Sequence, residues 1–332
     1  MIGLVLLCGC EIKSWMIGQI VQGELNKVRK ARPHRVLFDG VFPRAGSEPL
    51  EVGFHLRFCP TEVRVYTVDT PEELKGLQVW SSPEKYMLYD PKQERAEVVK
   101  GLPPFDARHF KSFRKRVLGE TLQENRIFVG KSKREDGRFW KIRVEPRFAD
   151  PFLGHIVSYI EKETRTNLET TEYSREGRML SRFITRKTIH DVEFGPDDLS
   201  ITLPDGVDTW ELDLGNSEGW KEPPKDYELR APEEVEGMTL QRFRQCEGGG
   251  GLFDYIEDGE VLVYAVRPRK GEMLSNPISK EIQFRGIPIY ISAVGRYLVV
   301  KWEDEQDENL LLTNLGPATL RTFLDKTVPK PE

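Results

Sequence analysis

The run VGFHLRF (residues 52–58) alternates strictly, with Val52, Phe54, Leu56 and Phe58 at one parity and Gly53, His55 and Arg57 at the other. A period of two predicts a strand with one buried and one wet face, because successive side chains leave a pleated backbone on opposite sides. The pattern recurs along the chain. EVRVYTV follows Cys59-Pro60, and LQVW (77–80), KYMLYD (85–90) and ERAEVVK (94–100) come next, the last two joined by the turn Asp90-Pro91-Lys92-Gln93. RIFVG leads through Glu135-Asp136-Gly137 into FWKIRVEP, where Trp140, Ile142 and Val144 alternate with Lys141, Arg143 and Glu145. HIVSYIEKET, LETTEYS and RMLSRFITRKTIHDVEF continue, with Arg175-Glu176-Gly177 as the turn between the last two. Short strands joined by tight turns predict an antiparallel meander, not βαβ units. Strands this wet on one face predict a curved sheet wrapped over something.

Two helices interrupt this pattern. Apolar residues at Ile12, Trp15, Met16, Ile20, Leu25 and Val28 approximate one helical face that Pro33 ends. A second helix is expected from Asp106 to Val117, with Asp106 as N-cap, and the basic run 111–116 reads as its solvated side. Periodicity vanishes between Gly215 and Gly237, where Pro, Gly and acidic residues dominate, so a linker is expected over 215–236. A second β-rich unit follows. It has strands either side of Asp258-Gly259, then IQFRGIPIYIS and RYLVVKWED, an acidic loop from Glu303 to Glu308 and a final helix from about Pro317 to Lys326.

The chain has 332 residues, enough for two cores, since single cores stop growing near about 250–300 residues. A net charge of −5 provides no concentrated basic footprint for nucleic acid, and none is expected as a partner. No stretch approaches the roughly 18 consecutive apolar residues of a spanning helix. The opening LVLLCGC (4–10) admits two readings. One is an apolar first strand. The other rests on Leu7-Cys8-Gly9-Cys10, which resembles a bacterial lipobox; no Lys or Arg precedes Cys10, so this reading implies a signal peptide whose start lies upstream. It implies that Cys10 is acylated and that the protein is lipid-anchored on the extracytoplasmic face of the cell envelope, where Cys59 and Cys246 are free to pair.

The order of pieces resembles the LolA/LolB/RseB group of extracytoplasmic lipoprotein-handling proteins, in particular lipoprotein-sorting relatives that are themselves lipoproteins. The resemblance is carried by a leading helix, by VGFHLRF running through a Pro turn into EVRVYTV, and by the hairpin VWSSPEKYMLYDPKQERAEVV. It extends to LETTEYSREGRMLSRFITRKTIHDVEFGPDDLSITLPDGV, read as a closing segment that includes a short ITLPDG strand. It covers about residues 11–207, and the tail more loosely resembles the small C-terminal domain of RseB-like and sporulation-associated relatives. The implied fold is mainly β (α+β), a strongly curved antiparallel sheet forming an unclosed half-barrel with plugging helices, plus a smaller C-terminal α+β domain. The expected division is 1–10 signal remnant, 11–214 half-barrel, 215–236 linker and 237–332 C-terminal domain.

The implied function is non-enzymatic: an acyl chain, a lipoprotein or an apolar peptide held in a hydrophobic cavity. Each buried methylene contributes about 0.8 kcal/mol, so a greasy groove needs no specific chemistry to hold such a ligand. Candidate lining residues are Phe54, Leu56, Val65, Trp80, Leu88, Trp140 and Ile142. The alternative is a regulatory or assembly module that clasps the extracytoplasmic segment of a membrane protein. No counterpart of the carriers' lid-locking arginine is identified.

Motifs of bond-making chemistry are not found. The five histidines are scattered, with no His-Glu-x-x-His, and the sequence contains no Gly-x-Ser-x-Gly, Walker loop or dinucleotide fingerprint. Gly248–Gly251 reads as a loop, and Asp197-Asp198 and the 303–308 stretch lack the alternating oxygens of a calcium loop. No catalytic residue, metal or cofactor is expected.

Overall fold

The computed structural model describes residues 33–59, 63–82, 84–102, 125–134, 137–146, 152–161, 167–216, 218–221, 231–245, 250–256, 261–269, 273–294, 297–315 and 317–329. The expected helices at 12–28 and 106–117, together with Cys8, Cys10 and Cys246, lie outside these residues. Cys59 carries a free, half-buried thiol among the described residues.

The first sheet is built from β1 (His34–Phe42), β2 (Leu50–Phe58), β3 (Arg64–Thr70), β4 (Gln78–Ser81), β5 (Lys85–Asp90) and β6 (Arg95–Lys100). To these are added β7 (Asn125–Arg134), β8 (Gly137–Pro146), β9 (His155–Glu161), β10 (Asn167–Tyr173), β11 (Met179–His190) and β12 (Asp208–Asp213). Its twelve strands run in the order β12-β6-β5-β4-β3-β2-β1-β11-β10-β9-β8-β7. The sheet is mainly antiparallel and unclosed, with β12 and β7 as its edges among the described residues. Of these twelve strands, β12 alone runs parallel to its neighbour, β6.

A short ribbon, β13 (Glu234–Val235) and β14 (Met238–Thr239), precedes the second sheet. That sheet consists of β15 (Arg242–Gln245), β16 (Gly251–Asp254), β17 (Leu262–Pro268), β18 (Lys280–Phe284), β19 (Ile287–Val294), β20 (Tyr297–Glu303) and β21 (Asp307–Thr313), in the order β15-β16-β17-β21-β20-β19-β18. The terminal helix α1 (Pro317–Thr327) lies where the sequence placed it.

Two sequence expectations are corrected. The ITLPDG segment is not a strand; the strand begins after the Asp205-Gly206 turn, at Asp208. Gly206 sits at φ +87°, which suits a residue without a side chain, and Pro204 has no N–H to give a ladder. The 303–308 stretch is not simply a solvated loop: Asp307 and Glu308 already belong to β21, and Glu308 is 1% exposed.

The second sheet lies between two cores. One face, with Val263, Ala265, Val299, Leu310 and Leu312, packs into the same core as Phe54, Leu88, Val99 and Leu212 of the first sheet. The opposite face, with Leu262, Tyr264, Val300 and Trp302, packs under Leu320, Phe323 and Leu324 of α1. The expected linker is in part structured as well. Lys221 bridges to Phe243, and the Trp220 ring lies 4.4 Å from the Arg242 guanidinium and 5.2 Å from that of Arg244.

A chain of alternating charges crosses the seam between the sheets. Lys301 Nζ reaches Glu97 Oε2 at 2.6 Å and also donates to the Leu274 carbonyl. It lies 3.8 Å from Glu308 Oε1, and Glu308 Oε2 is gripped by Arg267 at 2.7 Å. The Arg267 guanidinium in turn sits 4.1 Å from the centroid of Trp210 on β12. Glu97, Lys301 and Glu308 are all nearly inaccessible. Removing one member of a buried pair leaves an uncompensated charge, which costs about 3–5 kcal/mol, a large part of a typical folding free energy. Lys301→Met is therefore expected to lower the unfolding free energy by that amount, read as a lower urea midpoint at unchanged slope. Glu97→Met added to it should recover most of the loss, because the stranded carboxylate is then gone.

Candidate functional site

Residues directly opposed in a ladder point to the same side, so register assigns each side chain to a face. Leu56, Tyr66, Val79, Leu88, Glu97 and Trp210 form one cross-strand row. Because Glu97 meets Lys301, this is the face turned toward the second sheet, here called the inner face. Phe54 lies on it, stacked on Phe38 at 5.2 Å, and Phe183 meets Phe42 edge-on at 5.3 Å. From Phe183 the row continues through Thr170 and Ser158 to Ile142, which places Trp140 on the same face two residues away.

Five of the predicted lining residues, Phe54, Leu56, Leu88, Trp140 and Ile142, thus share the inner face. Val65 and Trp80 do not. They belong to the row Arg57–Val65–Trp80–Met87–Val98 on the opposite face. There the Trp80 indole donates to the Leu199 carbonyl at 2.8 Å and the Lys85 ammonium lies 5.5 Å from its ring. Phe54 and Leu88 are packed into the core that the second sheet shares, and Ile142 is 1% exposed, whereas Leu56 and Trp140 stay half-buried.

A neighbouring row on the inner face was not anticipated. His190, His34, Phe58, Arg64, Ser81 and Tyr86 oppose one another in sequence across β11, β1, β2, β3, β4 and β5. Burial is graded along it: His190 is exposed, His34, Phe58 and Arg64 are half-buried, and Ser81 and Tyr86 are 2% and 1% exposed. His34 packs on Phe58 with ring centroids 4.8 Å apart, and the Arg64 guanidinium lies 5.6 Å from the Phe58 centroid. The inner end is chemically unfinished. Arg64 Nη1, Ser81 Oγ and the Tyr86 hydroxyl are all buried without a hydrogen-bond partner among the described residues. Burial, and then the nearby Glu97 carboxylate, push the Tyr86 phenol well above its ordinary range, so it remains a neutral donor.

Two concavities have mixed polar and apolar linings. One, about 390 Å³, lies on the opposite face over β8–β10 and is lined by Lys141, Arg143, His155, Tyr159, Glu169 and Tyr173. Its charges are partly matched, Arg143 by Glu145 at 2.7 Å and Glu169 by Arg182 at 3.1 Å. The other, about 410 Å³, sits at the seam between Gly101, Leu214, Gln241, Arg242, Asp254 and Ile256. Among the described residues, no group of three His, Cys, Asp or Glu side chains is placed to hold a metal ion. No helix among them is long and apolar enough to cross a membrane.

No family model matches the chain, and neither does any curated protein. Solved structures do. The MucA/MucB complex of Pseudomonas aeruginosa is similar at 13% identity and a TM-score of 0.42, over 94% of this chain and 98% of that one. An uncharacterized conserved protein from Thermus thermophilus is similar at 13% identity and a TM-score of 0.40, over 57% and 98%. A domain described as an outer membrane lipoprotein-sorting protein, from Vibrio parahaemolyticus, is similar at 12% identity and a TM-score of 0.33, over 55% and 94%. These are likenesses of fold and carry no assignment of ligand.

An unpaired buried hydroxyl forfeits its hydration without return, at about 1–3 kcal/mol. Tyr86→Phe and Ser81→Ala are therefore expected to leave the unliganded protein as stable as before or up to about 1 kcal/mol more stable in urea unfolding. Leu88→Ala, one row away in the filled core, is expected to lose about 2–5 kcal/mol.

Proposed function

We propose that this chain is a non-enzymatic, extracytoplasmic binding protein. It holds an acyl chain, alone or as part of a lipoprotein, or an apolar peptide against the part of the inner face beside the second sheet. The observation that carries this reading is the difference in burial along that face. Phe54 and Leu88 belong to the core that the second sheet shares, while Val36, Leu56 and Phe58 lie together on β1 and β2 beside it, the last two half-buried, and Trp140 stays half-buried farther along the same face. Rings suit such a role because they offer large apolar area with few rotamers to freeze. Protein purified from membranes is expected to carry discrete acyl-containing adducts in native mass spectrometry. Leu56→Arg, which sets a charge on the strip, should reduce adduct occupancy about tenfold or more while leaving the far-ultraviolet circular dichroism unchanged.

A second reading, in which the protein clasps an extracytoplasmic segment of a membrane protein, is favoured by the mixed pocket at the seam, where Leu214 and Ile256 lie beside the ion pair of Arg242 and Asp254. Adduct-free protein that crosslinks through this seam to a membrane partner would replace the first reading by the second.

Anchoring through acylated Cys10 belongs to the proposal. Cys10→Ser in the full-length precursor is expected to move the protein from the membrane pellet to the soluble envelope fraction, and an unchanged distribution would remove the anchor from it.

A further inference from the structure

The unfinished inner end of the row Phe58–Arg64–Ser81–Tyr86 narrows the class of ligand. The three groups sit on adjacent strands in direct register, so their Cβ atoms are spaced about 4.5–5.5 Å from one to the next on one face. All three offer protons: a guanidinium N–H, an alcohol and a phenol. Among the described residues, nothing accepts from Arg64 Nη1, Ser81 Oγ or the Tyr86 hydroxyl. Most buried polar groups in folded proteins are paired, so three unpaired donors in one row call for an acceptor.

Charge limits what completes it. Arg64 is the cation of this row, and no ion pair joins it to a carboxylate among the described residues. The Glu97 carboxylate, whose field reaches Tyr86, opposes Leu88 in the adjacent row; Lys301 holds its Oε2, and its Oε1 is buried without a partner among the described residues. One guanidinium beside an occupied carboxylate matches a single negative charge; a phosphomonoester dianion would face Glu97 with half of its charge unmatched. The planar fork of arginine also matches the two oxygens of a carboxylate.

The approach to the site is apolar and only partly covered, running from exposed His190 past His34 and Phe58, with Val36 and Leu56 in the adjoining row.

We infer that Arg64, Ser81 and Tyr86 receive the carboxylate of a single fatty acyl chain, bound head inward, with its tail lying back along Phe58 and Leu56 toward the rim at His34. This inference rests on the acyl-chain reading above and adds the head group, the orientation and the residues that select it.

The test compares decanoate, 1-decanol and acetate by isothermal titration against the full-length chain and its Arg64→Met, Ser81→Ala and Tyr86→Phe variants. Each variant is first checked for native circular dichroism and cooperative unfolding. The expected result is that decanoate binds about tenfold or more tightly than decanol, as a charge-assisted contact allows, while acetate alone binds weakly. Arg64→Met should abolish that preference and leave decanol affinity unchanged, and each hydroxyl deletion should reduce it. Equal affinities for decanoate and decanol in the wild type would overturn the inference and leave the acyl-chain reading standing. So would a decanoate preference that persists in Arg64→Met. Binding of neither decanoate nor decanol would overturn the acyl-chain reading itself. If Arg64→Met fails to fold, the two hydroxyl variants carry the test, since each deletes only an atom without a partner among the described residues.

Discussion

The architecture depends on one buried electrostatic contact. Glu97, on a strand of the first sheet, would be intolerable in the apolar core around Leu88 and Val99 without the Lys301 ammonium of the second sheet 2.6 Å away. Lys301 in turn is tolerable because Glu308 and the Leu274 carbonyl share its charge, and Glu308 because Arg267 holds its other oxygen. The series ends on the face of Trp210, which brings it back to the first sheet. Apolar packing supplies most of the cohesion between the sheets but does not by itself choose one sliding position over another. Charges that must meet at named atoms do choose, and that is the attested use of buried ion pairs.

The contact also determines which part of the inner face the second sheet leaves at its margin. With the second sheet held over Leu88, Glu97 and Trp210, the portion of the inner face bearing Phe58, Arg64 and Leu56 falls at the margin of the filled core. The row ending at Tyr86 therefore passes from solvent to a dry interior within a few strands. A ligand entering along it would lose water gradually, and its polar end would meet donors where the effective dielectric is low and each hydrogen bond is stronger. Positioning and selectivity would thus come from one feature, the depth at which the second sheet begins.

Much of the meander was legible in the sequence, because one-faced strands declare themselves by alternation. VGFHLRF, FWKIRVEP and KYMLYD all became strands, and the terminal helix appeared where expected. Legibility failed where both faces of a strand are buried. In RVYTV, Val65 and Tyr66 are both inaccessible, so parity in the sequence does not say which belongs to the inner face, and Val65 and Trp80 fall together on the face opposite the other five candidates. It failed again at DENLLLT, where Asp307, Glu308 and Asn309 suggested a wet loop; Glu308 is buried because Arg267 opposes it across the ladder, a fact that resides on another strand. The Arg64–Ser81–Tyr86 row was invisible for the same reason. Each residue is ordinary in its own strand, and only the register of three strands makes them neighbours.

The two partners of the central ion pair, Glu97 and Lys301, are 204 residues apart in the chain. Contacts this distant form late, after a large loss of chain entropy, and they slow folding relative to local pairing. Until the second sheet has been made, Leu88, Val99 and Leu212 lack the partners among the described residues that it brings to their core. A nascent chain of this kind carries apolar surface for much of its synthesis that the finished fold buries.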